Sequence, residues 1–307
     1  WSATILDLFP SVGTVTFSFG IFILVFRRRA LGRARELVLS DMNRYNAAWE
    51  SVQDAAGAPE MLSELEQVVS SVSHVKGCEA PKQFNCVEKQ SCDANAMHPS
   101  ETVFIVKTAL ECTCPVKSLD QLFVQAMCIH PILLHKAKAW AAKSNGCFPA
   151  VVKVNETCTH KEFVTLDIVE SNSEITIKFA KIKSVTRALE KLGRSYGQDV
   201  SQLVDVCRQS IVFKKIDDLV SCLRSLIEDK EVIILRIKNR LDRGYEASCS
   251  AGYRDVGLNL RIDSAETIQL GVQTHVCEVQ LILLPFADIK SDEGHKRYVT
   301  FRNLRGE

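Results

Sequence analysis

Four stretches in the second half of the chain alternate apolar and polar residues with the period of a β-strand, in which successive side chains point to opposite faces. In His275–Leu283, Cys277, Val279, Leu281 and Leu283 are apolar, while Glu278 and Gln280 point the other way. In Asp255–Ile262, Val256, Leu258, Leu260 and Ile262 oppose Asp255, Asn259 and Arg261. In Glu231–Asn239, Ile233, Leu235 and Ile237 make one face and Arg236 and Lys238 the other. Arg208–Lys214 sets Ile211 and Phe213 against Arg208 and Ser210. If the four pair, the sheet has one greasy face for helices and one face carrying both acids and bases. A sheet with one solvated side gives the same pattern.

The first half reads as helical. Leu8–Phe26 is uncharged and is followed at once by Arg27-Arg28-Arg29. At 1.5 Å per residue it covers about 28 Å, close to the ~30 Å hydrocarbon core of a bilayer. Charge after an apolar run, with no small-residue cleavage site, predicts a single transmembrane anchor rather than a removed leader. The arginines put the rest of the chain on the positive-inside face of a membrane that could be organellar. Ala30–Asp54 and Glu60–Val72 predict a helix pair, separated by Ala56-Gly57-Ala58-Pro59. Lys117–Lys143 predicts another helix, capped by Ser118 and broken at His130-Pro131. Val151–Ile168 reads as short strands and turns. Ser184–Ser195 is a helix with Val185, Leu189 and Leu192 on one side, and Lys181, Lys183, Arg187, Lys191 and Arg194 make it basic. Such a face suits phosphate, and it equally suits solvent. Asp217-Asp218 predicts the cap and dipole partner of the next helix. These elements divide the chain into an anchor (1–29), a helical pair (30–75), a cysteine-rich and helical region (76–170) and a final domain (171–307).

Composition narrows this little. Of 307 residues, 46% are hydrophobic and the net charge is +1, so no global charge calls for nucleic acid, and the basic residues are not interleaved with stacking aromatics. Twelve cysteines are unevenly placed, with Cys78, Cys86, Cys92, Cys112 and Cys114 crowding one segment. Their spacing matches no standard zinc module. Disulfides fit the density, yet the positive-inside face is usually reducing. The sequon Asn155-Glu-Thr157 points towards an oxidising side, so the two signals conflict.

One ordered set of motifs carries a resemblance. Lys181-Ile-Lys183-Ser184, Lys191, Asp205-Val-Cys-Arg208, Arg236-Ile-Lys238-Asn239, Gly252-Tyr253-Arg254 and Glu278-Val-Gln280 together resemble the RelA/SpoT synthetase domain of alarmone synthetases, over residues 178–300. Ser250–Val256 and Asp292–Tyr298 look more like eukaryotic, algal relatives of that family. The resemblance implies an α+β, nucleotidyltransferase-like fold, a mixed sheet flanked by helices. It implies Mg2+ held by Asp205 and Glu278, which would also be the catalytic pair, and passage of pyrophosphate from ATP to the 3′-hydroxyl of GDP or GTP. Lys183, Lys191, Arg236 and Lys238 would contact phosphates and Tyr253 would stack on guanine, with Arg208, Arg254 and Gln280 completing the nucleotide site. Phosphoryl transfer is mostly positioning and charge neutralisation, which is why it needs carboxylates for a hard cation and basic groups around the phosphates.

The chain departs from the family pattern in its cations. Arg208 and Ser210 stand where a glycine and an arginine are expected, Gly257 where a histidine is, and Ile282 where an arginine is. Loss of one preorganised charge contact costs about 2.7–4 kcal/mol. Two readings follow. One is a degenerate, nucleotide-binding domain serving as an accessory or docking subunit of a membrane-protein assembly in a lipid bilayer; the other is an active magnesium-dependent nucleotide pyrophosphokinase.

Overall fold

The computed structural model describes residues 12–72, 81–84, 114–155, 158–170, 172 and 174–290. Cys78, Cys86, Cys92, Cys112, the strand expected at 103–106, sequon residues 156 and 157 and the motif at 292–298 lie outside them. Two long helices open the chain, α1 (Val12–Gln53) and α2 (Ala58–Ser71), followed by α3 (Leu119–Lys143). Strands β1 (Phe148–Asn155), β2 (Cys158–Val164) and β3 (Ile175–Ile177), with α4 (Leu166–Glu170) between the last two, form a small antiparallel sheet of order β2-β1-β3. The remainder is α5 (Val185–Ser195), β4 (Arg208–Phe213), α6 (Ile216–Glu228), β5 (Val232–Asn239), β6 (Val256–Ile262), α7 (Ala265–Gln269), β7 (Cys277–Leu283) and α8 (Leu284–Ile289).

The main sheet has the order β4-β7-β6-β5, with β4 and β7 parallel and the other pairs antiparallel. The fold is thus α+β with a mixed sheet flanked by helices. Ile211, Phe213, Val256, Leu258, Leu260, Val279, Leu281 and Leu283 are buried, as the alternation requires. Helix α6 lies across β4, β5 and β7 and contributes Leu219, Leu223 and Leu226 to the same core. That core continues without a break through Leu122, Ile129 and Trp140 of α3, Leu62 and Leu65 of α2 and Trp49 of α1. Cys207, Cys222 and Cys277 are fully buried within it as free thiols, small hydrophobes in practice. The edge of β4 meets the small sheet through paired hydrogen bonds between Cys147 and Val212 (2.7 and 2.9 Å).

Several expectations are corrected. Helix α3 runs through Pro131 without a break. Ile129, Ile132 and Leu133 on both sides of the proline are core residues, and their burial outweighs a proline penalty of about 3 kcal/mol. In β5 the phase changes at a bulge between Ile234 and Arg236. Val232, Ile234 and Ile237 therefore pack on the core, while Ile233 is exposed on the polar face. On α5, Ala188 and Leu192 are buried and Val185 and Leu189 are exposed. The N-cap of α6 is Lys215; Asp217 and Asp218 lie in its first turn, where they still favour the helix dipole.

The expected transmembrane anchor is not supported. Among the described residues no helix is long and apolar enough to cross a membrane. Residues 8–11 of the expected span lie outside them, and the run from Val12 to Phe26 covers only about 22 Å before the arginines begin.

Helix α1 instead holds the loop before β6. Gly252 has φ +85°, and a Cβ there would lie 2.9 Å from Tyr45 Cβ and 3.1 Å from the Met42 carbonyl, so glycine is needed for both backbone shape and close approach. Tyr253 meets Tyr45 edge-on at 5.8 Å, and the Arg254 guanidinium lies 4.3 Å from the Trp49 ring centroid.

Candidate functional site

Strand register builds the polar face in two rows. Pairing sets Arg208 beside Glu278, Glu278 beside Asn259 and Asn259 beside Arg236, so one row reads Arg208–Glu278–Asn259–Arg236 across all four strands. The next row reads Ser210–Gln280–Gly257–Lys238. Within the first row, Arg236 donates from Nε and a terminal nitrogen to Asn259 Oδ1 at 3.0 and 2.8 Å. Within the second, the Ser210 hydroxyl donates to Gln280 Oε1 at 3.4 Å.

Asp205 enters from the loop before β4, and two lysines reach it, Lys183 just ahead of the N-cap of α5 and Lys191 from the helix itself. Ser184 caps α5 by accepting from the Arg187 N–H, which fixes the start of the helix and hence the rotation of Lys191. Lys183 Nζ lies 2.5 Å and Lys191 Nζ 2.9 Å from the same oxygen, Asp205 Oδ2. Burial alone would push the Asp205 carboxyl up, but Lys191 and Lys183 outweigh it and hold its pKa at about 2. Burial pushes Lys183 down, further than Asp205 offsets. It also works against Lys191, where Asp205 and Tyr196 prevail and the pKa rises.

Glu278 behaves in the opposite sense. Burial first, and the Asp205 charge second, raise its pKa above the ordinary glutamate value, against the opposing pull of Arg208 and Lys191. Its carboxylate takes part in no hydrogen bond or ion pair among the described residues. Asp205 Oδ1 is likewise buried without a partner. Two mutually repelling carboxylates with unpartnered oxygens suit a hard divalent cation. Among the described residues no three His, Cys, Asp or Glu side chains gather into a metal cage. A magnesium ion here would complete its shell with water and phosphate oxygens, as that ion commonly does.

The expected residues fall into two groups. Asp205, Glu278, Lys183, Lys191, Arg208, Arg236, Lys238 and Gln280 are brought together on or beside the two rows. Tyr253 and Arg254 are held differently. The Tyr253 ring packs on Tyr45, and its hydroxyl accepts from Lys290 Nζ at 3.2 Å. Arg254 is buried and donates to the carbonyls of Arg240, Asp242 and Tyr245. Arg240 and Lys290 join the face without having been singled out. Arg240 pairs with the fully buried Asp255, and Lys290 donates to Gln280 Oε1 at 3.0 Å. Carrying the alternation of Arg236 and Lys238 one step past Asn239 would have reached the first; nothing in the pattern pointed to the second.

The face is basic overall. Its cations outnumber Asp205, Glu278 and Asp255, and Arg208, Lys183, Lys191, Lys238 and Arg240 lie close enough to influence one another's charge. Such an arrangement suits polyanions and, through the carboxylate pair, a divalent cation along with them. The chain is similar to small alarmone synthetases. Small alarmone synthetase 2 from Bacillus subtilis matches at 17% identity and TM-score 0.40, over 60% of this chain and 81% of that one. Small alarmone synthetase 1 from the same organism, bound to its product pppGpp, matches at 18% and 0.39, over 61% and 87%. A GTP pyrophosphokinase family protein from Streptococcus pneumoniae matches at 13% and 0.36, over 61% and 87%. No family model and no curated protein matches.

Proposed function

We propose that the polar face binds a purine nucleoside polyphosphate together with Mg2+, as a RelA/SpoT-like domain whose transfer activity is weak or lost. The observation that supports binding is the placing of two carboxylates, Glu278 within the first row and Asp205 close enough to act on its charge, among Lys183, Lys191, Arg208 and Arg236. Asp205 and Glu278 would hold the cation; Lys183, Lys191, Arg208, Arg236 and Lys238 would contact phosphates. Bound magnesium supplies neutralisation of phosphate charge. The protein's own contribution is to orient the phosphate chain along the rows and to release Lys183 and Lys191 from Asp205 towards it. The base-stacking role lacks such support, because the Tyr253 ring lies against Tyr45 and its hydroxyl is engaged by Lys290. Ile282 is buried in the core where the family pattern has an arginine, so no cation reaches the face from that position.

Calorimetric titration of the full chain with ATP and GTP, with and without Mg2+, tests binding. Heat of binding that grows with Mg2+ is expected; no binding of either nucleotide at millimolar concentration would overturn the proposal. Retention of both carboxylates favours the second reading, an active pyrophosphokinase. Robust formation of a 3′-pyrophosphorylated guanine nucleotide from ATP and GDP or GTP would establish it instead.

The accessory role would rest on α1. Phe17, Phe19, Phe22, Ile23, Leu24 and Phe26 are exposed on its first turns, just before Arg27-Arg28-Arg29. Exposed apolar area bordered by cations suits attachment to an anionic lipid surface or a membrane assembly. The full chain should float with anionic vesicles in a density gradient, and a Phe22→Asp, Phe26→Asp double variant should stay behind. Equal flotation of the two would rule out this attachment.

A further inference from the structure

Lys290 closes α8 at the margin of the second row. Its ammonium donates to Gln280 Oε1 at 3.0 Å and to the Tyr253 hydroxyl at 3.2 Å, and lies 5.0 Å from the Tyr253 ring centroid. Among the described residues its hydrogen-bond acceptors are neutral, and Asp255 and Glu278 act on it through their charge alone. Lys183 and Lys191, by contrast, share the Asp205 carboxylate, and Arg240 holds that of Asp255. A cation whose hydrogen-bond acceptors are neutral gains an opposite charge from an arriving phosphate without giving up an ion pair. The position also matters. Gln280 stands two residues beyond Glu278 on β7, so the Lys290 anchor lies about 7 Å along the strand from the carboxylate row. A single phosphate would have to stretch fully to contact both ends of that interval, whereas a chain of phosphates covers it with oxygens to spare.

We propose that Lys290 is a phosphate-binding residue of this face, supplied by α8 in place of the cation lost at Ile282, and that it selects phosphate chains over single phosphates. The proposal rests on the nucleotide reading above. Bound polyphosphate draws the ammonium away from Gln280 and Tyr253 onto its distal group, while Lys183 and Lys191, beside Asp205, hold the other end. Lys290 is exposed, so its substitution removes charge without disturbing the core.

The test titrates the full chain with inorganic tripolyphosphate, pyrophosphate and orthophosphate at constant ionic strength and Mg2+. Lys290→Met should bind tripolyphosphate about tenfold more weakly than the parent chain, a loss of about 1.4 kcal/mol. Orthophosphate binding should be unchanged, and Lys290→Arg should restore most of the tripolyphosphate affinity. Equal tripolyphosphate binding by Lys290→Met and the parent overturns the role of Lys290 and leaves the nucleotide reading intact. An equal loss for all three anions overturns the chain-length selectivity. Failure of the parent chain to bind tripolyphosphate, ATP or GTP overturns both.

Discussion

Asp205→Asn is expected to destabilise the fold by about 3 kcal/mol at pH 7, read from urea unfolding of the full chain. Three effects compete. A surface ion pair would contribute at most about 1 kcal/mol. Here the side chains of Lys183, Lys191 and Asp205 are 11%, 25% and 14% exposed, so solvent screens them poorly. Removing one member of a buried ion pair costs about 3–5 kcal/mol, because the partner charge is left uncompensated. The depression of the Asp205 pKa from 3.8 to about 2 sets a lower figure of roughly 2.4 kcal/mol. The sign follows from that depression. The ionised carboxylate is favoured in the folded state, so its contribution is complete above about pH 4 and disappears as pH falls through 2. The parent chain should therefore lose this stability between about pH 4 and 2, and the asparagine variant should lack that limb. A change below 1 kcal/mol would mean that the lysines find other partners, and the account of Asp205 as the carboxylate that compensates both of them would fail.

The main sheet was largely legible in the sequence, and the reason is physical. In β4, β6 and β7 only one phase buries the apolar residues, so alternation alone assigns Arg208, Asn259, Glu278 and Gln280 to one side. Strand β5 begins with Val232-Ile-Ile-Leu235, apolar in either phase, and there the pattern could not reveal the bulge. Alternation also says nothing about neighbours. The row Arg208–Glu278–Asn259–Arg236 exists because β7 lies between β4 and β6, a matter of chain topology. The continuity of α3 through Pro131 could not be read because a local penalty is visible in sequence and the burial that outweighs it is not. Tyr253 and Arg254 belong to a recognisable motif, yet their surroundings come from Tyr45 and Trp49, about two hundred residues earlier. Local motifs thus named the candidate residues, while distant packing decided which of them share a face.

Glu278→Gln should separate stability from binding in opposite directions. Burial and the Asp205 charge raise the Glu278 pKa, so the folded chain prefers the neutral form and ionisation works against folding. Its stabilising contribution as a neutral acid is complete below the unfolded-state pKa and is lost as pH rises through the raised folded value. At pH 7 the parent chain bears that cost. A glutamine has nearly the same shape and no charge, so the variant should be more stable by about 1 kcal/mol in urea unfolding, a usual size for relieving a functional-site strain. The gain should shrink as pH falls and Glu278 becomes protonated in the parent. Binding should change the other way. With one of two carboxylates gone, Mg2+-dependent nucleotide affinity should drop about a hundredfold, while the Mg2+-independent part, carried by Lys183, Lys191, Arg208 and Arg236, should survive. A variant both less stable and unchanged in Mg2+ dependence would show that Glu278 serves the fold through an unseen partner, and the carboxylate pair would then have no claim on a metal.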